Sequence, residues 1–236
     1  MKHLIETTDL NSLGNAKYDR LILDSTTNEI VYRGGVNTNG HSYVDLGLPS
    51  HLKWAKCNVG AETETDYGYY FQWGETTQDT DYTWATYKYC KGSDTIMTKY
   101  CTDSSYGTVD NKTTLEPEDD TATQIMGGDW RMPTQTEYQE LYDNTTNKWV
   151  EDYNGTGVSG RKFTSKSNGK SIFFPASGYA RGTRVSLRGS GGTYWSSSLR
   201  PSNSILGLSL RFLSDDIDPQ NGNFRCDGLS VRGVFE

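Results

Sequence analysis

Apolar and polar positions alternate with a period of two over residues 206–213, LGLSLRFL. Leu206, Leu208, Leu210 and Phe212 share one face, and Gly207, Ser209, Arg211 and Leu213 share the other, which predicts a half-buried β-strand. RKFTSK, SIFFPASG and YWSSS are shorter strand-like runs broken by Gly and Ser, and LSVRGVF reads as a last strand. A helical period stands out at 134–144. Thr134 is followed three residues later by Glu137, a capping box, and Pro133 precedes it. Tyr138, Leu141 and Tyr142 at i, i+3 and i+4 form one stripe for burial. KWVED is expected to extend or close this region. Near the amino end, LILD (21–24) and EIVYRG (29–34) flank the turn-forming STTN and predict a hairpin. GVNTNG then reads as a linker, so residues 1–40 form a short β-like appendage and 41–236 the main domain. Residues 75–125 are polar and rich in turn formers. They predict a long, loosely structured insertion with one short helix near the acidic run Glu116–Asp120, which reads as a helix start or solvated face rather than a metal site. No internal repeat is present.

Composition changes this picture in two ways. Hydrophobic residues make up only 33% of the chain, yet it has 16 Tyr and 25 Gly, so the core must rest on aromatic and Gly-rich packing. The net charge of -7 argues against a general nucleic-acid binder, whose affinity needs Lys and Arg on phosphate. No apolar run is long enough for a membrane span, so no membrane insertion is expected. The start MKHLIETTDL lacks the apolar stretch of a secretory signal. That favours a phage virion or intracellular assembly; with a trimmed signal the bacterial cell surface is expected. Cys57, Cys90, Cys101 and Cys226 form no CxxC pair and lie apart from His3, His41 and His51, so no zinc site is expected. Free thiols are favoured over a Cys90–Cys101 bridge.

At GGDWRMPTQTEYQEL (127–141) the chain resembles the formylglycine-generating-enzyme-like branch of the C-type lectin fold, through Arg131, Met132, Pro133, Thr134 and Glu137. YVDLGLPSHLKWAKCNVGA, YFQWGETT, SIFFPASGY, YWSSS and SVRGV resemble the Fibrobacter succinogenes major paralogous domain of Bacteroidales and their phages, over roughly residues 42–235. The resemblance implies an α+β, C-type-lectin-like fold with a small antiparallel sheet, few helices and long irregular loops. Trp130, Arg131, Pro133, Glu137, Trp195, Leu210 and Phe212 would be its scaffold.

The segment from Tyr194 to Phe235 resembles, further, the variable region of proteins diversified by a retroelement that mutates adenines while copying a template. Asn codons mutated in this way cannot yield Lys, Glu, Gln, Met or Trp. Lys, Glu, Met and Trp number 33 of the 236 residues, yet none occurs between Ser196 and Phe235; Gln220 is assigned to the fixed framework. The resemblance therefore implies a variable region at about 196–234 whose ligand contacts are Arg200, Ser202, Ile205, Leu206, Ser209, Arg211, Leu213, Asp215, Asp216, Phe224, Cys226 and Asp227. Replacing the inward Leu210 or Phe212 would open cavities costing about 2–5 kcal/mol. Outward Ser209, Arg211 and Leu213 would exchange for about 0.5 kcal/mol or less. Cys226 would be a chance draw, not a catalytic thiol.

Rival chemistries match poorly. Glu116-Pro117-Glu118 is a weak version of a calcium-lectin motif, and Asp215, Asp216 and Asp218 read as a solvated loop. Formylglycine generation needs two reactive cysteines in the C-terminal part, where only Cys226 lies. No G-x-S-x-G occurs, all three His precede residue 52, and RGSGG (188–192) lacks the Lys of a P-loop. Trp54, Trp73, Trp84, Trp130, Trp149 and Trp195 are candidates for stacking on sugar rings, but most are expected in the core. No enzyme activity, cofactor or metal is therefore expected. The expected partner is a protein or glycan on a cell surface, with residues 1–40 joining the domain to a carrier or to sister subunits. The alternative is a non-diversified bacterial adhesin or carbohydrate-binding module.

Overall fold

The computed structural model describes residues 38–236 in full and residues 18–24 and 29–34 as paired backbone. It is a mixed α+β structure with few helices and several small antiparallel sheets. Strands β1 (Tyr18–Asp24) and β2 (Glu29–Gly34) pair antiparallel, as the STTN turn signal predicts. Residues 1–17, 25–28 and 35–37 lie outside the described residues, so most of the expected attachment segment does too. No helix among the described residues is long and apolar enough to cross a membrane.

The main body is a set of three-stranded sheets around two aromatic cores. β3 (Tyr43–Asp45) and β4 (Lys53–Ala55) are joined by β13 (Val234–Phe235) in the order β13-β4-β3, so the two ends of the main body meet. β5 (Thr145–Val150), β6 (Gly160–Ser165) and β7 (Ser171–Pro175) form a meander. β8 (Tyr179–Arg181) and β9 (Arg184–Ser186) form a small hairpin. β10 (Gly191–Leu199), β11 (Leu206–Leu213) and β12 (Ile217–Phe224) form the third sheet.

Two helices serve this frame. α1 (Thr121–Met126) starts where Asp120 accepts a hydrogen bond from the Thr123 amide, so the acidic run does mark a helix start. α2 (Gln135–Asn144) carries both arms of the Thr134–Glu137 capping box. Its Tyr138 and Leu141 are buried against β10, β11 and β12, while Tyr142 is only half-buried. KWVED does not extend the helix: the chain passes straight from α2 into β5, whose Thr145 and Trp149 suit a strand.

One core holds Trp73, Tyr100, Trp130, Trp195 and Phe235, the other Trp54, Tyr138, Phe163, Phe174, Tyr194, Leu210 and Phe212. The expectation of a loosely structured 75–125 insertion is wrong. The segment has little regular structure before Pro117, but Tyr87, Tyr89, Met97, Tyr100 and Cys101 are buried in the first core. Its aromatic rings, spaced irregularly, supply the packing that a hydrophobic period would have advertised.

Arg232 shows how such irregular chain is tied down. Its guanidinium is fully buried, lies 4.5 Å over the Phe174 ring, and donates to Asn58 Oδ1 and to the carbonyls of Ala55, Lys56 and Phe173. Of the expected last strand, only Val234 and Phe235 pair in a sheet; Leu229 and Ser230 make single bridges to Phe71 and Tyr194.

Candidate ligand-binding surface

The β11–β12 hairpin is the centre of the region that the sequence singles out. Leu206 faces Phe224 and Ser209 faces Asn221, but Arg211 faces Asp218, so β12 carries one extra residue as a bulge. β11 itself keeps its alternation. Leu210 and Phe212 point into the second core with α2 and are fully buried, while Leu206 and Leu208 on the same face are half-buried. On the other face Gly207 and Ser209 are buried and Arg211 and Leu213 half-buried.

Ser209 therefore points the expected way but is not exposed. Its relative exposure is 0%, and its hydroxyl donates to Asn223 Oδ1 at 3.0 Å and accepts from Asn221 Nδ2 at 3.1 Å. Alternation reports which side of a sheet a residue faces, not what lies on that side. Here Trp195, its partner on β10, and Trp73 roof the upper half of the face: a Cβ at Gly207 would sit 2.8 Å from the Trp73 ring. The lower half, at Arg211 and Leu213, is more open.

The turn that follows is gripped from outside. Arg161 of β6, itself buried, sends Nη1 to Asn147 Oδ1 at 2.8 Å. Its Nη2 donates to three carbonyls of the turn: Leu213 at 2.9 Å, Asp216 at 3.2 Å and Ser214 at 3.4 Å. Burial lowers the Arg161 pKa, and the nearby Asp216 and Asp215 carboxylates act against that. The turn also closes on itself through the Leu213 amide and the Asp216 carbonyl. All these contacts use main-chain atoms of the turn. Asp215 and Asp216 are exposed, and the Arg211–Asp216 ion pair, 2.9 Å long, is a surface contact of little energetic worth.

At the opposite end, about 20 Å away by the rise of a strand, lie the loop 200–205 and Phe224. Ser202 is exposed, Ile205 packs partly on the first core, and Leu206 is half-buried. Arg200 is half-buried, lies against Gly222 and donates to the Gln220 carbonyl. Phe224 is 39% exposed, with its ring edge-on to Trp84 at 6.1 Å and the Arg181 guanidinium 5.4 Å over it.

Beyond Phe224 the expectation fails. Cys226 is 5% exposed and Asp227 0% exposed, so neither reaches a ligand at the surface. The chain dives at Arg225 and then runs through the interior, bridging Gly228 to Ala180 and Leu229 to Phe71. Burial, then the neighbouring Asp227 charge, pushes the Cys226 thiol up to about 12, which suits an inert core thiol. All four cysteines are free. Asp227 accepts a bidentate pair of hydrogen bonds from Arg181 at 2.8 and 2.7 Å.

Sequence reasoning missed Arg225, which directs this dive. It is fully buried, with no carboxylate partner among the described residues. Nε donates to Tyr87 Oη, Nη1 to the Tyr100 and Ser204 carbonyls and Nη2 to the Lys99 carbonyl. Its guanidinium stacks 4.9 Å from the Trp73 ring. Arg161 and Arg181 were missed as well, because each acts on residues far away in sequence. Asn221 and Asn223 could have been found by drawing the hairpin pairing, which sets them around Ser209.

Trp130 and Trp195 are buried, and their indoles donate to the Thr38 and Phe71 carbonyls. Arg131 forms a bidentate pair with Glu137, which also caps α2, and Pro133 is buried beside it.

Other chemistry lies elsewhere. Glu116, Glu118 and Asp119 are close enough to share an ion, but Lys99 Nζ sits 2.5 Å from both Glu116 and Asp119. Asp119 also accepts hydrogen bonds from Tyr89, Tyr100 and Lys88. Burial raises its pKa, yet these bonds, led by that of Lys99, outweigh burial and hold it at about 2. The cluster thus contains its own cations. A cleft of about 340 Å³ is lined by His41, Cys57, Asn58, Glu62, Ile125 and Met126, away from the β11–β12 hairpin. Recognition of a large partner needs no such cleft.

Compared with family models, curated proteins and solved structures, the chain matches none of them.

Proposed function

We propose that residues 41–236 form a C-type-lectin-like domain that recognises a protein or glycan on a cell surface, through positions diversified by a retroelement, and that the protein is not an enzyme. The observation that carries this reading is the grip of Arg161 on the 213–217 turn. A grip on carbonyls keeps the turn in place while exposed side chains such as Asp215 and Asp216 change, which is what diversification requires. The recognition surface in this reading comprises Ser202, Arg211, Leu213, Asp215, Asp216 and Phe224, with Arg200, Ile205 and Leu206 at its margin. Ser209, Cys226 and Asp227 belong to the framework. A half-buried Leu213 and an exposed Phe224 among polar neighbours suit contact with a partner. Display on a phage tail tip fits best, where several copies turn weak contacts into avidity.

Sequencing the flanking DNA tests diversification. A near-copy of the codons for 196–224, richer in adenine wherever the two differ and beside a reverse transcriptase gene, is expected. Differences falling instead on Leu210, Phe212 or Arg225 would contradict the reading. Intact flanks with no such copy would leave the non-diversified adhesin. Recognition itself is tested on glycan and protein arrays with the purified chain.

A further inference from the structure

The β8–β9 hairpin has a charge arrangement that the variable surface does not explain. Residues 176–192 contain Arg181, Arg184 and Arg188 and no carboxylate, in a chain of net charge -7. Arg181 and Arg184 are register partners across the ladder, so their side chains leave the same face. Like charges directly opposite destabilise a strand pair; Asp227 already balances Arg181, so the uncompensated charge is that of the exposed Arg184.

Arg181 is already shaped for that task. Its Nε and Nη2 are held by the buried Asp227, which raises its pKa and locks its plane. Tyr179 and Phe224 lie 5.5 and 5.4 Å from its guanidinium. Among the described residues no hydrogen bond uses Nη1, and the side chain is 54% exposed. Arg184 is exposed and has no ion-pair partner among the described residues. Trp84 and Phe224 extend the site as an aromatic wall. Arg188 is engaged separately, with Tyr70 Oη and the Tyr67 ring.

We propose that Arg181 and Arg184, beside the rings of Tyr179 and Trp84, form a fixed site for the carboxylate or sulfate groups of an acidic polysaccharide, with the variable Phe224 at its edge. This rests on reading the Phe224 end of the domain as a ligand surface. Guanidinium donors beside aromatic rings match a chain in which anionic groups alternate with the apolar faces of sugar rings. A nucleic acid would require a longer basic tract than an acidic chain offers. The fixed arginines would supply general affinity for the polysaccharide, and the variable positions would select among its forms.

The test measures binding of the intact chain to polygalacturonate, dextran sulfate, neutral dextran and polyglutamate at low salt. One of the two acidic polysaccharides is expected to bind, which identifies the anionic group, while neutral dextran does not. R184Q, at an exposed and unpaired position, is expected to weaken binding about tenfold. F224A is expected to weaken it severalfold. R181Q leaves Asp227 unpaired, so it is scored only if its melting temperature holds. No binding to either acidic polysaccharide, or undiminished binding by R184Q, overturns the proposal. Polyglutamate binding as tightly as the polysaccharides overturns it in favour of an acidic peptide. Loss in R184Q together with a missing template copy would sink diversification and leave the anion site standing. A template copy with unchanged R184Q binding would do the reverse.

Discussion

The turn at 213–217 and the terminal run from 225 to 235 are both fastened by buried arginines, in opposite ways. At the turn, Arg161 comes from another sheet and takes only carbonyl oxygens, so its grip makes no use of the turn's side chains, of which Asp215 and Asp216 are exposed while Ile217 packs on the second core. In the terminal run the arginines are the segment's own: Arg225 and Arg232 send their side chains inward and are fully buried. The two stretches share a poverty of Lys, Glu, Met and Trp, yet only the first is expected to accept changes of sequence. Tolerance depends on whether a segment is held by its backbone or by its side chains.

The largest expected effect comes from the side-chain-held region. Arg225→Ala would strand the Tyr100, Ser204 and Lys99 carbonyls and leave a cavity under Trp73. It is expected to cost about 3–5 kcal/mol in urea unfolding, and a loss below about 1 kcal/mol would break the comparison. Arg161→Ala should cost less, about 2 kcal/mol, and should speed hydrogen exchange at the Leu213 amide. Arg161→Lys should not rescue it, because one ammonium cannot reproduce the planar fork. Unchanged exchange at Leu213 would show that the turn needs no grip.

A third, smaller effect concerns the 75–125 segment that supports Arg225. Asp119 titrates at about 2, below its ordinary 3.8, so its contribution is fully present above the ordinary value. It is lost as pH falls through the lowered one. Stability should drop by about 2 kcal/mol between pH 4 and pH 2 from this group. Asp119→Asn should flatten that part of the curve, and an unaltered acid profile would refute the network's role. The smallest effects belong to the backbone-held region. Alanine at Ser202, Arg211, Asp215 or Asp216 should each change stability by about 0.5 kcal/mol or less.

Much of the frame was legible in the sequence. The period of β11, the Thr134–Glu137 box and the STTN hairpin are local signals, and local rules govern those elements. The errors at Ser209, Cys226 and Asp227 share one cause. Each depends on neighbours that local alternation does not report: Trp195 beside Ser209 with Trp73 over Gly207, Gln72 on the Cys226 carbonyl, and Arg181 against Asp227. The buried part of the 75–125 segment was illegible for the same reason, since its Tyr residues follow no period and Tyr87 and Tyr100 pack around an arginine 138 and 125 residues away.

The central claim is that backbone-held positions tolerate near-random side chains, and one comparison of libraries tests it directly. Ser202, Arg211, Leu213, Asp215, Asp216 and Phe224 are randomised together in one library, and Ser209, Arg225, Cys226, Asp227, Leu229 and Arg232 in the other, and both are sorted for protease resistance. Most members of the first should remain folded and almost none of the second. Equal survival of the two libraries, or collapse of the first, would contradict the account.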